Sequence, residues 1–508
     1  IRQGGDLLLV AGMSLPDAVS TSPSIESWLP GKFSRLVPLR RAAALETYAR
    51  SSRPLARRAI EELQIPVFED SPQLQGVIEA SVGGTENDPP LVVRRAYGFG
   101  RITWVGLDLD TKTFESWSGT DSLVLKLLDI QGDGVSDGRA GEAKRGGLDL
   151  AGQLRLAVDN YINVSVIPFE LIALIGMLYV AALYPLDWWI ARRSERVRWI
   201  TWLTLPLIVL TFTGITWSTT QQFKSGEWQI HTAGIFDIDQ ATQTCRSTSF
   251  AGIWAPKNGR FNLSVNSAQN TGRKDSRSVV SWFAASGRNI GGPDALTPHP
   301  SLAGAAYEYG PSAGKLQNIS IAAASSQLFE ANSTCRLPIA SINSTLSRTG
   351  QGTLRGTITN QLQVTLKDCV LMHAGWLYDI GTLQPGDTFD LEEGKGPRSL
   401  GAFLTKKRAV KDRNVSARWN SDDRNIARIL EVAGMHRATG GSEYTGLQPG
   451  RIGHIDMTHL LVLDRIILTG KGPRATKWLP QETTESKRKQ FKDAGDTTLW
   501  RIVLELRD

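Results

Sequence analysis

Val166–Ile190 reads VIPFELIALIGMLYVAALYPLDWWI, and Trp199–Trp217 reads WITWLTLPLIVLTFTGITW. Charge is confined to Glu170 and Asp187 in the first run and is absent from the second. At 1.5 Å per residue each run can cross roughly 30 Å of hydrocarbon. Trp188 and Trp189 close the first run, and Trp199 and Trp217 bracket the second, where an interfacial aromatic belt belongs. The expectation is two transmembrane helices, 166–190 and 199–217. The connection 191–198 carries Arg192, Arg193, Arg196 and Arg198 against a single Glu195. A short arginine-rich loop stays in the cytoplasm, so both flanking domains are expected on the extracytoplasmic face of the cytoplasmic membrane. Asp187 then sits at the cytoplasmic interface, beside these arginines. A loop this short makes the spans antiparallel neighbours. Ala173, Gly176 and Ala181 on one span and Thr211 and Gly214 on the other are expected to bring the backbones together.

The rest of the 508-residue chain is ordinary in composition, 41% hydrophobic and 21% charged, and no class of disordered protein fits it. The net charge is +7. No basic stripe alternates with aromatic residues, so nucleic acid is not an expected partner. Ile1–Gly12 reads as the inside of a domain, so the expectation is that further chain precedes it.

Before the membrane segment, short apolar strands alternate with helical stretches. Asp6–Ala11 and Arg101–Leu107 read as strands, while Ala42–Leu63 and Ser122–Leu128 have helical spacing. Residues 1–130 are thus expected to form an α/β layer, flavodoxin-like, on a mainly parallel sheet. Gly98-Phe99-Gly100 invites a phosphate-loop reading, but these glycines lead into a strand, so they read as a tight turn. Residues 131–147 read as a Gly- and Asp-rich linker. Residues 148–165 read as an amphipathic juxtamembrane helix.

After Lys224 the pattern turns to β. Residues 227–345 form one β-rich stretch, with Ala268–Ser312 expected as a long loop. Residues 346–508 read as an immunoglobulin-like β-sandwich with one helix, Ser421–Ala438, capped by Ser421 and stopped by Gly440-Gly441. Leu460–Thr469 and Leu499–Leu506 read as closing strands. Cys245, Cys335 and Cys369 form no CxxC pair, so structural zinc is not expected. Cys245 and Cys335 can form a disulfide in an oxidising compartment. In HIDMTH, His454, Asp456 and His459 are the candidate metal ligands, although their spacing matches no specific motif. Six Asn-x-Ser/Thr sequons, at Asn163, Asn262, Asn318, Asn332, Asn343 and Asn414, are close to chance in a chain so rich in Ser and Thr.

GGDLLLVAG (4–12), with PLVVRRAYGFGRITWVGLDLD (90–110), resembles the glutamine-amidotransferase-like domains of large bacterial membrane proteins. The resemblance implies a nucleophile turn after the first strand. Gly12-Met13-Ser14 stands there, with no cysteine. Residues 1–230 contain neither cysteine nor histidine. An acyl-transfer site needs a nucleophile and a base within reach, so the domain reads as a degenerate relative with no catalytic residue and no cofactor. YVAALYPLDWWIARRSERVRWITWLTLPLIVL (179–210), RILEVAGMHRATGGSEYTGL (428–447) and DMTHLLVLDRIILTGKGP (456–473) resemble a group of uncharacterised bacterial membrane proteins common in planctomycetes. Tyr184 stands where that group has glycine. The resemblance implies an architecture and is silent on activity. Three functions are expected in order: a non-enzymatic envelope protein that binds or scaffolds a partner outside the cytoplasm; a metal-dependent or otherwise unconventional envelope hydrolase using His454, Asp456 and His459; and an accessory subunit of a membrane transporter.

Overall fold

A computed structural model describes the chain except residues 57–59, 61, 70–73, 86–87, 130–148, 163, 165–167, 187–200, 223–225, 268–276, 287–292, 295–306, 337–340, 411–412, 483–490 and 507–508. The 131–147 linker and the 191–198 loop lie outside the described residues. So do Asp187, Arg192, Arg193, Arg196 and Arg198.

The N-terminal region is mixed α/β. Its sheet runs in the order β1 (Asp6–Val10), β6 (Gly100–Val105), β5 (Pro90–Tyr97), β4 (Val77–Ser81). Only β1 and β6 pair in parallel; β5–β6 and β4–β5 are antiparallel. This corrects the mainly parallel sheet read from the sequence. The reason is the turn at Gly98-Phe99-Gly100, which folds β5 directly back onto β6 as a hairpin. Gly98 has φ +67°, and a Cβ on Gly100 would collide with the Gly5 carbonyl. A second hairpin pairs β2 (Phe33–Pro38) with β3 (Gln64–Phe68). Helix α1 is Leu15–Thr21. Helix α2 covers only Ala43–Tyr48 of the expected Ala42–Leu63, ended by Arg50 at φ 52°.

The C-terminal region is a large β structure. It contains β7 (Gln229–Asp239), β8 (Thr244–Ala255), β9 (Gly259–Ser267), β10 (Arg277–Ser286), β11 (Lys315–Ile321) and β12 (Ser325–Arg336). There follow β13 (Ile342–Ser344), β14 (Thr357–Asn360), β15 (Leu366–His373), β16 (Trp376–Leu383) and β17 (Thr388–Asp390). The last are β18 (Ile466–Gly472), β19 (Thr476–Glu482) and β20 (Lys492–Leu504). Ten strands form one sheet: β10-β12-β8-β7-β20-β18-β15-β16, with the short strands Pro293–Asp294 and Arg398–Ser399 at its edges. β20 enters between β7 and β18, parallel to β7 and antiparallel to β18. The stretches 227–345 and 346–508 therefore share one sheet, closed by the last strand. Sheet β11-β9-β19 covers one half of it around Phe261, Phe329 and Trp478, and β13-β14-β17 covers the other half around Ile358, Leu371 and Trp500.

Three expectations fail locally. β10 runs through the stretch 268–312, which reads as a loop because Gly, Pro and Ser are dense on both sides of its apolar run 279–285; it pairs with β12 from Arg277 to Ala284. The helix expected at Ser421–Ala438 is Ile426–Gly434, capped by the Asn425 side chain accepting from Arg428 N, because Asn425 is nearer the first apolar turn than Ser421. Leu460–Thr469 is split into a short helix, Thr458–Val462, and β18, with Asp464 at φ 63° making the break.

Leu150–Val158 forms a helix whose N-cap, Asp149, accepts from Gly152 N at 2.6 Å. Its apolar side packs on the protein itself: Leu150, Ala151, Leu154 and Val158 are fully buried against the face of the large sheet and the 426–434 helix. A predominantly apolar helix needs an apolar partner, and here the sheet supplies it, while buried Gln153 and Arg155 are satisfied by backbone carbonyls.

The apolar segment itself gives helices Phe169–Ala181 and Thr201–Gln222, the first running into a π-helical turn at Ala182–Leu186. One of them, through Trp202–Thr219, is long and apolar enough to cross a membrane; the other is a shorter apolar helix. Their surfaces are bare: Phe169, Trp202, Leu203 and Leu210 are all more than two-thirds exposed. The helices touch where Tyr179 and Phe212 meet edge to face at 5.4 Å. The expected glycine contact is absent, since a Cβ on Gly176 or Gly214 would meet nothing within 4 Å. The aromatic pair holds the backbones apart there, and the glycine faces stay open.

Candidate functional site

Phe99, at the tip of the β5–β6 turn, leaves its own domain. It is 1% exposed and packs among Met372, Leu400, Met435, Met457 and Leu460 of the β region. Around its base lies a cavity of about 230 Å³, lined by Gly4, Asp6, Phe99 and Arg101 from one domain and Arg246, His436, Arg437, Pro449, Gly453, His454, Asp456 and His459 from the other.

The cavity is built on ion pairs. Arg101 donates Nε and Nη2 to the two oxygens of Asp6, at 3.0 and 2.9 Å, and Nη1 to Asp129 at 2.6 Å. Arg437 reaches the same Asp129 oxygen across the domain junction. Burial alone would raise the Asp129 carboxyl, but hydrogen bonds from Arg101 and Arg437 hold it below the usual carboxylate range. Arg246 donates Nε to Asp237 at 2.7 Å and Nη1 to the Gln3 carbonyl at 3.0 Å, and its guanidinium lies 4.6 Å from the Phe99 ring centre. Asp237 is buried in the centre of the sheet, where Arg501 donates Nε at 2.7 Å and Nη2 at 3.0 Å to it. Arg501 also donates Nη1 to the carbonyls of Gly434 and Ile455. A continuous chain of charge-assisted bonds thus runs from the sheet centre to the N-terminal domain.

His454, Asp456 and His459 all line this one cavity, yet they do not converge on a point. His454 Nδ1 lies 3.1 Å from the Arg451 carbonyl, and His459 Nε2 lies 3.0 Å from the Phe99 carbonyl. Asp456 accepts from Thr458 N and Oγ1 through one oxygen and from Arg437 N through the other. Among the described residues no group of three or more His, Cys, Asp or Glu side chains is placed to hold a metal ion. Burial pushes the pKa values of His436 and His459 below the ordinary histidine value, so their rings are uncharged at neutral pH.

Ser14 is also committed. Its Oγ donates to Asp108 Oδ1 at 2.7 Å, and the backbone amides of Gly12, Met13 and Ser14 donate to the same carboxylate at 2.8, 2.7 and 3.3 Å. The turn that would carry a nucleophile is filled by an aspartate of its own domain. Amides of that kind stabilise an oxyanion only when they are vacant.

Residues 341–440 match a family described as a domain of unknown function, DUF8725. The matched stretch brings His436 and Arg437 to the cavity. No curated protein matches the chain. Among solved structures, the yeast delta-COP-I mu-homology domain, alone and complexed with a Dsl1 WxWxV peptide, aligns at 6% identity over 55% of this chain and 96% of that one, with a TM-score of 0.25. So low a score carries no argument about fold or function.

The sequence pointed to the HIDMTH stretch but not to Arg101, Arg246, His436, Arg437 or Asp237. A signal was present for two of them. Asp237 and Arg246 are charged residues inside strands that are buried along their whole length, and a charge there must be paired. Arg101 and Arg437 meet, through Asp129, only across the junction, which no local pattern shows.

Proposed function

We propose that this is a non-enzymatic membrane protein of the cell envelope, whose α/β domain and β region act together outside the cytoplasm to bind or scaffold a partner. The observation that carries the reading is the closure of the chain across its apolar segment. Before that segment, Ile162 donates its amide to Gln229 Oε1 at 2.8 Å, and Gln229 Nε2 returns a bond to the Ile162 carbonyl at 2.7 Å. His231 Nδ1 lies 3.0 Å from the Val158 carbonyl, and Tyr161 packs on Trp254. Both ends of the apolar segment are therefore fastened to one sheet, and a chain that leaves and returns to the same body crosses a bilayer an even number of times. If Trp202–Thr219 spans, Phe169–Leu186 supplies the second crossing.

Two further features support the reading. Cys245 and Cys335 face each other across β8 and β12, with Cα atoms 5.0 Å apart, and are joined as a disulfide. Such a bond suits an oxidising compartment. The occupied turn at Ser14 suits a degenerate amidotransferase-like domain retained for binding. The open faces at Gly176 and Gly214 favour a second reading, an accessory subunit whose hairpin grips partner helices. Rapid alkylation of thiols in intact cells, followed by mass spectrometry, tests the compartment. Cys245 and Cys335 should be protected as a disulfide while buried Cys369 is reduced; a fully alkylated Cys245–Cys335 pair would overturn the assignment.

A further inference from the structure

We propose that the cavity at the domain junction binds a neutral, polyhydroxylated ligand the size of one sugar ring, held between imidazole acceptors and guanidinium donors. This deepens the binding role proposed above and rests on it.

Size sets the first limit. The cavity measures about 230 Å³. At ~30 Å³ per water that is room for about eight waters, or for one hexose ring.

Charge sets the second. The four guanidiniums of Arg101, Arg246, Arg437 and Arg501 pair with three carboxylates, Asp6, Asp129 and Asp237, and Asp456, held by the backbone amide of Arg437, brings the negative charges to four as well. The imidazoles of His436 and His459 add nothing, because burial keeps them uncharged. A phosphate or a bare cation would meet no net opposite charge there, and desolvating it would go uncompensated. A neutral ligand meets no such barrier.

Unmet hydrogen bonding sets the third. His436 is 6% exposed, and its Nε2 has no partner among the described residues. A buried polar atom left in this state needs a partner, and a ligand in the cavity that His436 lines would supply one. A carbonyl can only accept. The bond to the Arg451 carbonyl therefore fixes a proton on His454 Nδ1 and leaves a lone pair on Nε2. The bond to the Phe99 carbonyl likewise fixes a proton on His459 Nε2 and leaves a lone pair on Nδ1. Arg101 and Arg246 each spend only part of their five N–H groups on Asp6, Asp129, Asp237 and Gln3. A hydroxyl both donates and accepts, so neighbouring hydroxyls on one ring can satisfy an imidazole lone pair and a guanidinium N–H together.

The test is calorimetric titration of the full-length protein, in a detergent without a sugar head group, with glucose and N-acetylglucosamine. Glucuronate, inorganic phosphate and zinc chloride serve as contrasts. The expected result is saturable binding of a neutral sugar, weakened about tenfold by His436→Leu, equivalent to ~1.4 kcal/mol. Gly453→Val should abolish it by filling the cavity, and the fold should tolerate that change, since a Cβ there comes no closer than 3.6 Å to Pro449. Thermal melting of both variants checks that they are folded. The proposal is overturned if no neutral sugar binds the wild type, if neither folded variant weakens binding, or if binding is confined to phosphate or zinc. Conversion of a bound sugar into product would instead refute the non-enzymatic reading, so the two failures are distinguishable.

Discussion

Replacing Asp237 by asparagine removes one charge from the middle of the ten-stranded sheet and nothing else. Asp237 is 2% exposed, and the guanidiniums of Arg246 and Arg501 approach it at 2.7 Å from opposite sides. The substituted amide would keep the shape but leave two buried cations beside one another with no anion between them. Breaking a buried ion pair by deleting one partner costs roughly 3–5 kcal/mol. That lowers the folded-to-unfolded ratio by a factor on the order of hundreds to thousands. Denaturant unfolding in detergent, followed by tryptophan fluorescence, reads the sheet directly, because Trp500 neighbours Arg501 in β20 and is 1% exposed. The loss should depend on pH. Burial would raise the Asp237 carboxyl, but Arg501 and Arg246 hold it below the usual carboxylate range. A group whose pKa is depressed by folding stabilises the fold above its unfolded value, ~3.9, and loses that contribution as pH falls through the folded value. The gap between wild type and Asp237→Asn should therefore be full at neutral pH and close only under strong acid. Replacing Asp237, Arg246 and Arg501 together by Leu, Leu and Met should recover most of the loss. A loss under ~1 kcal/mol for Asp237→Asn would refute the reasoning, since it would mean that water or another anion reaches the arginines.

Three other outcomes are expected. Asp108→Ala should destabilise the N-terminal domain by roughly 1–3 kcal/mol, since it frees the Gly12–Ser14 amides and the Ser14 hydroxyl, and should still release no ammonia from glutamine; a calorimetric melt and an ammonia assay check both. Reduction of Cys245–Cys335, which closes a loop across a sequence separation of 90, should lower stability by about 4 kcal/mol in a denaturant titration with and without reductant. Leucine at Gly176 or Gly214 should leave crosslinking between cysteines at positions 179 and 212 intact but reduce recovery of co-purifying membrane proteins; loss of the crosslink would show that the glycines seat the hairpin after all.

The coarse order of the chain was legible because it rests on local patterns. A charge-free apolar run, alternating strands and a Gly-Phe-Gly turn are each set by a few neighbouring residues. What escaped is set by distant ones. Whether β1, β5 and β6 pair in parallel depends on where the Gly98–Gly100 turn sends the chain, not on the strands' own residues. The 150–158 helix reads the same whether its apolar side meets lipid or the face of a sheet that ends at residue 504. β10 was hidden because its apolar run, 279–285, is set inside a long Gly-, Pro- and Ser-rich stretch, and only its pairing with β12 shows it as a strand. In the cavity, HIDMTH drew notice for its ligand types, but His454 and His459 each spend one ring nitrogen on a backbone carbonyl and Asp456 caps Thr458, so the three do not converge on one point. The residue with an unmet bond, His436, sits in the unremarkable GMHRAT stretch.

The measurement that bears most directly on the central claim is thiol labelling in intact and permeabilised cells, on a chain carrying one added cysteine. The account predicts that a cysteine within 191–198 stays hidden from an impermeant reagent until the cytoplasmic membrane is opened. Cysteines placed at the exposed positions Thr85 and Gly350, one in each large domain, should both label once only the outer barrier is permeable. Labelling of 191–198 alone would contradict the orientation. Labelling of Thr85 without Gly350 would contradict the single body that joins the two domains on one side of the membrane.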